Sequence, residues 1–285
     1  MKKINVLLTL YLLFSAAAVV HADQLIAYWP LNGDPNDASG NNNNGTLIGG
    51  SWDAGIKGQA LKLTGANQYI EINPPNPDAF ATESYSVSFW AKIDSWSDSW
   101  NTAISFAGEG SGWAFKRNSS SGNWRFVHRG NPETDWGTSG PSIDLGKWTH
   151  FAVAWDGTSK VFTWYKNGLP TGTRTLAGHV MSYDTQWPVM IGACSQGGAH
   201  QFLPGNSGQA FIDEVRIYDY MLDADDIFGV YATVKPEPMF ISQPISNTVY
   251  SGGMANFTVS AKSVTDVEYQ WYKDGEMLYD VENKI

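Results

Sequence analysis

The sequence predicts an all-β fold: a large antiparallel sandwich of two sheets, followed by the start of a second, smaller β-domain. Three observations predict it. Apolar and polar residues alternate over short stretches, most clearly from Ser84 to Ile93. There Tyr85, Val87, Phe89, Ala91 and Ile93 fall on one face, and Ser86, Ser88, Trp90 and Lys92 on the other. Tight-turn dipeptides punctuate the pattern: Asp156-Gly157 joins Lys147–Asp156 to Lys160–Lys166, and Asn167-Gly168 closes the second stretch. The chain is also rich in Gly, Asn, Ser, Thr and aromatic residues and poor in charge, which suits many short strands joined by tight turns.

The strands begin after a leader. Lys2 and Lys3 precede an uncharged apolar run from Ile4 to Val20, and Val20-His21-Ala22 offers a small-residue cleavage site. This is the anatomy of a secretory signal peptide over residues 1–22, so the protein is expected outside the cell or at its surface. The run is short for a membrane span, no cysteine near the cleavage point suggests a lipid anchor, and no later stretch is apolar enough to cross a bilayer. The sandwich is expected over residues 23–233, with Phe211–Tyr218 as its last strand. A short helix after Met221 has Asp223 as its cap and Asp225 and Asp226 at its positive end.

Residues 234–240, with Pro236 and Pro238, read as a linker. Beyond it, Phe257, Val259 and Ala261 alternate ahead of Tyr269-Gln270-Trp271-Tyr272-Lys273-Asp274-Gly275. Residues 241–285 thus resemble the first half of an immunoglobulin-like domain, with Trp271 as its core tryptophan, in an incomplete form because that fold needs about 100 residues.

Charge and cysteine content narrow the function. A net charge of −10 makes a poor nucleic-acid binder, because phosphate binding needs clustered Lys and Arg. Cys194 is the only cysteine, so no intramolecular disulfide forms, and its place at a strand end marks it as a packed residue.

Four stretches carry a family resemblance. The first runs from Ala27-Tyr28-Trp29-Pro30-Leu31-Asn32-Gly33 into Asp37-Ala38-Ser39-Gly40 and on to Gly45-Thr46. The second is Gly58-Gln59-Ala60-Leu61-Lys62-Leu63 with Tyr69-Ile70. The third is Trp148 to Gly157 leading into Tyr165-Lys166-Asn167-Gly168. The fourth is Ile212-Asp213-Glu214-Val215-Arg216-Ile217-Tyr218 followed by Leu222. In this order they resemble laminin-G-like (concanavalin-A-like) jelly-roll domains of bacterial secreted proteins. The resemblance implies a two-sheet jelly roll whose first and last strands pair, with a metal often near that seam. Many relatives carry a histidine where this chain has Asn44.

The metal is expected to be calcium. With Phe211, Asp213, Val215 and Ile217 on one strand face, Asp213 is a carboxylate on an apolar surface, which is costly unless a cation or donor meets it. A hard cation with oxygen ligands answers that need, with Asp34, Asp37 and loop carbonyls as further ligands. Against this stand turn roles for Asp34 and Asp37, and a strand-end or ion-paired place for Asp213.

Tryptophan supplies the candidate ligand contacts. Trp148, Trp155 and Trp164 lie in strand patterns and are expected in the core. Trp90 falls on the polar face of its strand. Trp96, Trp100, Trp136 and Trp187 lie in polar or proline-containing loops, where an indole stacks on a sugar ring while neighbours bond its hydroxyls. Arg125, Arg129 and His128 lie nearby, as an acidic-sugar site or as surface charge.

No catalytic pattern is present. Paired carboxylates two or four residues apart on one strand are missing, as are a Gly-x-Ser-x-Gly elbow and a His-Glu-x-x-His helix. The expectation is a non-catalytic module that binds carbohydrate or an extracellular protein, with a spacer domain or an appendage of a secreted glycosidase as alternatives.

Overall fold

The computed structural model describes residues 9–12, 25–97, 100–107, 111–117, 122–131, 138–194, 202–250, 254–273 and 276–278. The chain divides into two units: Val20–Val234, and Met1–Val19 with Lys235–Ile285.

The larger unit is the predicted sandwich. One sheet has seven antiparallel strands, ordered Thr138–Ser142, Asn123–His128, Trp113–Arg117, Thr102–Phe106, Val189–Ile191, Tyr69–Ile72 and Gly45–Ile48. The other has eight: Leu169–Thr175, Val161–Lys166, Thr149–Asp156, Tyr85–Trp96, Ser207–Tyr218, Gln59–Gly65 and Ser51–Ala54 in order, with Leu25–Trp29 also pairing with Ser207–Tyr218. First and last strands therefore meet, Trp29 opposite Val215 and Ala27 opposite Ile217.

The core lies between the sheets. The five residues expected on the inner face of Tyr85–Trp96 are all buried there. Phe89 meets Phe115 of the facing sheet edge-to-face at 4.9 Å, the arrangement that ring quadrupoles favour. Trp155 and Trp164 join this core as expected, whereas Trp148 is half-buried against Phe211 on the outer face.

Asn167 and Gly168, with φ of 50° and 75°, form the expected two-residue turn between Lys166 and Leu169. The Asp156-Gly157 connection is longer than a tight turn: Asp156 pairs with Val161, and its carboxylate holds the loop through the Thr158 amide and the Ser159 hydroxyl.

The last strand departs from the expected alternation. Asp213 pairs with Trp90, but the next registered pair is Arg216 with Ser88, so a bulge sits at Glu214, whose φ is 52°. The inner set is therefore Ala210, Ile212, Val215 and Ile217, while Phe211 and Asp213 lie on the outer face. Asp213 does not share a face with Val215 and Ile217, because one extra residue shifts the period.

The helix Ala224–Ala232 covers part of that outer face. Asp223 caps it by accepting the Asp225 and Asp226 amides, and Asp226 answers the Asp223 amide. Ile227 and Val230 pack onto Ala152, Ala154 and Tyr218.

In the smaller unit the described strands form two-stranded ladders: Thr9–Leu12 with Val267–Gln270, Met239–Ser242 with Ser260–Lys262, and Tyr272–Lys273 with Glu276–Met277. The Met239–Ser242 strand begins inside the expected linker. Among the described residues no fully buried core residue lies beyond Ala232, and Trp271 is half-buried, so these ladders do not make two packed sheets. Residues 1–8 and 13–22 of the expected leader lie outside the described residues. No helix among the described residues is long and apolar enough to cross a membrane.

Candidate functional site

The seam between first and last strands collects the buried charge. Glu214 is fully buried and binds Arg216 Nη2 at 2.7 Å. The Tyr28 hydroxyl donates to both Glu214 oxygens at 3.0 Å, and the Arg216 guanidinium lies 4.1 Å from the Tyr28 ring centroid. Burial, partly offset by Arg216, lifts the Tyr28 phenol well above its ordinary range.

Asp213 lies beside this cluster under the loop that joins Ala54 to Gln59. Its Oδ2 accepts the amides of Ile56 at 3.0 Å and Lys57 at 3.3 Å. Its Oδ1 is buried and has no partner. Burial pushes the carboxyl up to about 7 against the pull of those amides.

The first loop is organised by Asp37, which accepts the amides of Tyr28, Ser39 and Asn43 and the Ser39 hydroxyl. Asn44 Oδ1 in turn accepts the Asp37 amide at 2.9 Å, so Asn44 does pack this loop. Asp34 accepts the Asn36 amide at 2.9 Å, a turn role in an exposed loop. The structure does not bring Asp34, Asp37 and Asp213 together: among the described residues no three His, Cys, Asp or Glu side chains stand close enough to hold a metal. The first loop closes on itself by hydrogen bonds. Of the three carboxylates, only Asp213 keeps a buried oxygen without a partner.

The tryptophans separate by environment. Trp90 is buried, not half-exposed: Tyr231 of the helix stacks on it at 5.4 Å and His150 packs beside it at 5.5 Å. Its cover comes from a helix far along the chain, which strand alternation does not reveal. Trp96 and Trp100 are half-buried, one at each end of the loop after the Tyr85–Trp96 strand. The Arg117 guanidinium lies 4.6 Å from the Trp96 ring and that of Arg125 5.2 Å from the Trp100 ring. Trp187 is half-buried, with its indole N–H bonded to Asp184 at 3.1 Å. Trp136 lies outside the described residues. His128 points into the core against Trp155, while Arg125 and Arg129 lie on the opposite side of their chain segment. Cys194 is buried with Ala114 and Val127, and burial pushes its thiol up.

Sequence reasoning did not anticipate one polar pair. Ser88 Oγ and His150 Nε2 are 2.8 Å apart in full burial. His150 Nδ1 has no partner, and burial, then Arg216, lowers this histidine to about 3. A serine relay needs a carboxylate on that second nitrogen and an open approach to the hydroxyl. Tyr231 packs edge-on against His150, so the pair is a closed structural contact.

Comparison with known proteins places this geometry. The family model for the laminin-G-like group described as the concanavalin A-like lectin/glucanases superfamily matches residues 64–228. No curated protein matches the chain. Among solved structures, domain 4 of AbnA, an extracellular GH43 arabinanase from Geobacillus stearothermophilus in complex with arabinotriose, is 22% identical. Its TM-score is 0.56, over 73% of this chain and 98% of that one. The binding domain of Paraclostridial Mosquitocidal Protein 1 is 14% identical with a TM-score of 0.62, over 92% and 69% of the two chains. The botulinum neurotoxin serotype D ligand-binding domain in complex with N-acetylneuraminic acid is 18% identical with a TM-score of 0.58, over 74% and 51%. The match spans about half the length of that botulinum chain and of the type G receptor-binding domain. At these identities the likeness is one of fold.

Proposed function

The chain belongs to the concanavalin A-like lectin/glucanases superfamily, and on that premise we propose that it is a non-catalytic, exported module that binds carbohydrate, with calcium as a structural ion. The observation that carries the reading is the pair Trp96 and Trp100. Each indole is half-buried and rests against an arginine, which orients it before a ligand arrives. A pre-set aromatic face flanked by polar side chains suits the C–H face and hydroxyls of a sugar ring. The arabinotriose and N-acetylneuraminic acid complexes of two structural relatives support the same class of ligand. The leader over residues 1–22 supports export.

Calcium belongs to the proposal through Asp213, whose buried, unpartnered Oδ1 is the acceptor such an ion would meet. A bound cation would offset the desolvation of that carboxylate and hold the loop between Ala54 and Gln59 in place.

A glycan array probed with the full chain, in calcium and in chelator, tests both parts. Binding to glycans that Trp96→Ala or Trp100→Ala abolishes supports the carbohydrate reading. A folded protein that binds no glycan in either condition shifts the function to an extracellular protein partner or a spacer. A melting temperature that rises with calcium in the wild type but not in Asp213→Asn supports the ion, and an unmoved wild-type melting curve removes it.

A further inference from the structure

Six buried polar atoms without a partner gather at one end of the sandwich. They are the Tyr85 hydroxyl, the Trp155 indole nitrogen and both ring nitrogens of His128 and of His179. The rings are neighbours. His128 meets Trp155 edge-on at 4.5 Å and His179 at 4.7 Å, while Trp155 lies 6.0 Å from His179 and Tyr85 5.8 Å from His128. Each imidazole is 1% exposed. A buried imidazole with no hydrogen bond stays neutral, because nothing there balances the desolvation of its cation.

His179 reaches this cluster from a surface strap, residues 176–182. Leu176 and His179 are the buried side chains of the strap, whereas Val180 is 60% exposed. Few bonds hold it. The Leu176 amide donates to the Lys160 carbonyl at 2.8 Å, and the Ser182 amide donates to the Arg129 carbonyl at 3.1 Å. Between them Val180–Met181 pairs with Gly130–Asn131 in a two-residue ladder outside both main sheets. A short ladder with exposed neighbours opens at a lower cost than the whole fold.

The charges around the pair oppose a proton. Burial, then His179 and Lys160, holds His128 well below its ordinary range, and burial, then Lys160, lowers His179. Among the described residues no carboxylate acts on either imidazole. Glu83 pairs with Lys160 at 3.7 Å but is itself largely exposed, and Asp156 is bound to its own loop. Burial keeps the phenols of Tyr85 and of Tyr183, just past the strap, protonated.

We propose that His128 and His179 form an acid-operated latch: neutral, they let the strap of residues 176–182 close over Trp155, and a proton on either drives the strap off the sandwich while the two sheets stay folded. Opening returns both rings to water, where they titrate near pH 6.5. The closed form is therefore fully favoured above pH 6.5 and loses ground below it. The open population rises by up to about tenfold per pH unit for each histidine. The latch stands apart from the carbohydrate reading and does not depend on it.

Amide hydrogen exchange of the full chain at pH 7.5 and 5.0, corrected for the intrinsic rate, tests it. Protection of residues 176–182 is expected to fall at least about tenfold over that range. Urea below the unfolding transition should leave the strap's exchange unchanged, because a local opening exposes little surface. Strap exchange that rises with urea in step with Ser207–Tyr218 overturns the proposal, since the strap then opens by global unfolding. His128→Phe/His179→Phe keeps two rings and removes both protons, and should abolish the pH response. A response of undiminished size in that folded variant assigns the opening to other groups. The wild type supplies a reading independent of any variant. Its two imidazole Cε1–H proton signals should report neutral rings for as long as the strap is closed, and an imidazole that takes up a proton with strap protection unchanged also overturns the latch.

Discussion

Asp213 stands directly opposite Trp90 on the outer face of the eight-stranded sheet, one residue before the bulge at Glu214. Both side chains are buried, and each keeps a polar atom without a partner, Oδ1 of the one and Nε1 of the other. Different elements close over them: the loop after Ala54 lies on Asp213, and Tyr231 lies on Trp90. The outer face is thus a second packed layer with its own polar demands.

Gly55 is a tight point of that layer, where the loop lies directly on Asp213. A Cβ there would lie 2.5 Å from Asp213 Oδ2 and 2.6 Å from the Gln59 carbonyl oxygen, and the latter is backbone that cannot swing aside. Gly55→Ala must lift the loop and weaken the two amide bonds to Asp213. The expected loss is about 1–3 kcal/mol, read as a lower urea midpoint at unchanged slope. Gly122→Ala, where a Cβ would meet nothing within 4 Å, is the matched control and should leave the midpoint in place.

Stability should fall as the solution is acidified below the ordinary histidine range. His150 titrates at about 3 in the fold because of burial and then Arg216. His128 is held well below its usual value by burial, then by His179 and Lys160. The unfolded chain takes up these protons near pH 6.5 and the folded chain does not, so the stabilisation is complete above pH 6.5 and declines as pH drops below it. For His150 the decline continues to about pH 3. Each such histidine contributes a slope of up to about 1.4 kcal/mol per pH unit. Urea melts between pH 7.5 and 4.5 should show it, reduced by the opposing contribution of Asp213, whose raised carboxyl takes up a proton in the fold near pH 7, and His128→Phe should flatten it. A slope unchanged by that substitution would assign the acid sensitivity elsewhere.

The indoles should divide by role. Trp90→Ala empties a buried site under the helix and should cost about 3–5 kcal/mol, with any binding loss following from unfolding. Trp100→Ala removes a half-buried loop side chain and should shift the thermal midpoint only slightly while abolishing glycan binding. Thermal melts and array binding on the two variants separate the cases. Binding that survives in folded Trp100→Ala would leave Trp100 a packing residue on Arg125.

The legibility of these features in sequence follows the range of the interactions behind them. Alternation over Tyr85–Ile93 reports one local face, and it was correct for every inner residue. Asp223 as a cap and Asn167-Gly168 as a turn are equally local. The face of Asp213 was not legible, because the bulge at Glu214 inserts one residue into a period of two without a glycine to mark it. Nor was the cover on Trp90, since it brings together residues from distant parts of the chain.

The buried pair at the seam gives the sharpest energetic test. Glu214 and Arg216 are almost wholly enclosed, and Tyr28 of the first strand bonds the carboxylate and underlies the guanidinium. Glu214→Gln leaves the Arg216 cation without its counter-charge, and removal of one partner of a buried pair costs about 3–5 kcal/mol. Replacing both at once removes that uncompensated charge along with the pair, so Glu214→Met/Arg216→Met should be more stable than Glu214→Gln despite the larger change. Because Tyr28 lies on Leu25–Trp29, Glu214→Gln should also speed amide exchange in that strand more than in Tyr85–Trp96. A double variant no more stable than the single one would mean that the pair orders the seam through its hydrogen-bond geometry, with charge balance a minor part of its contribution.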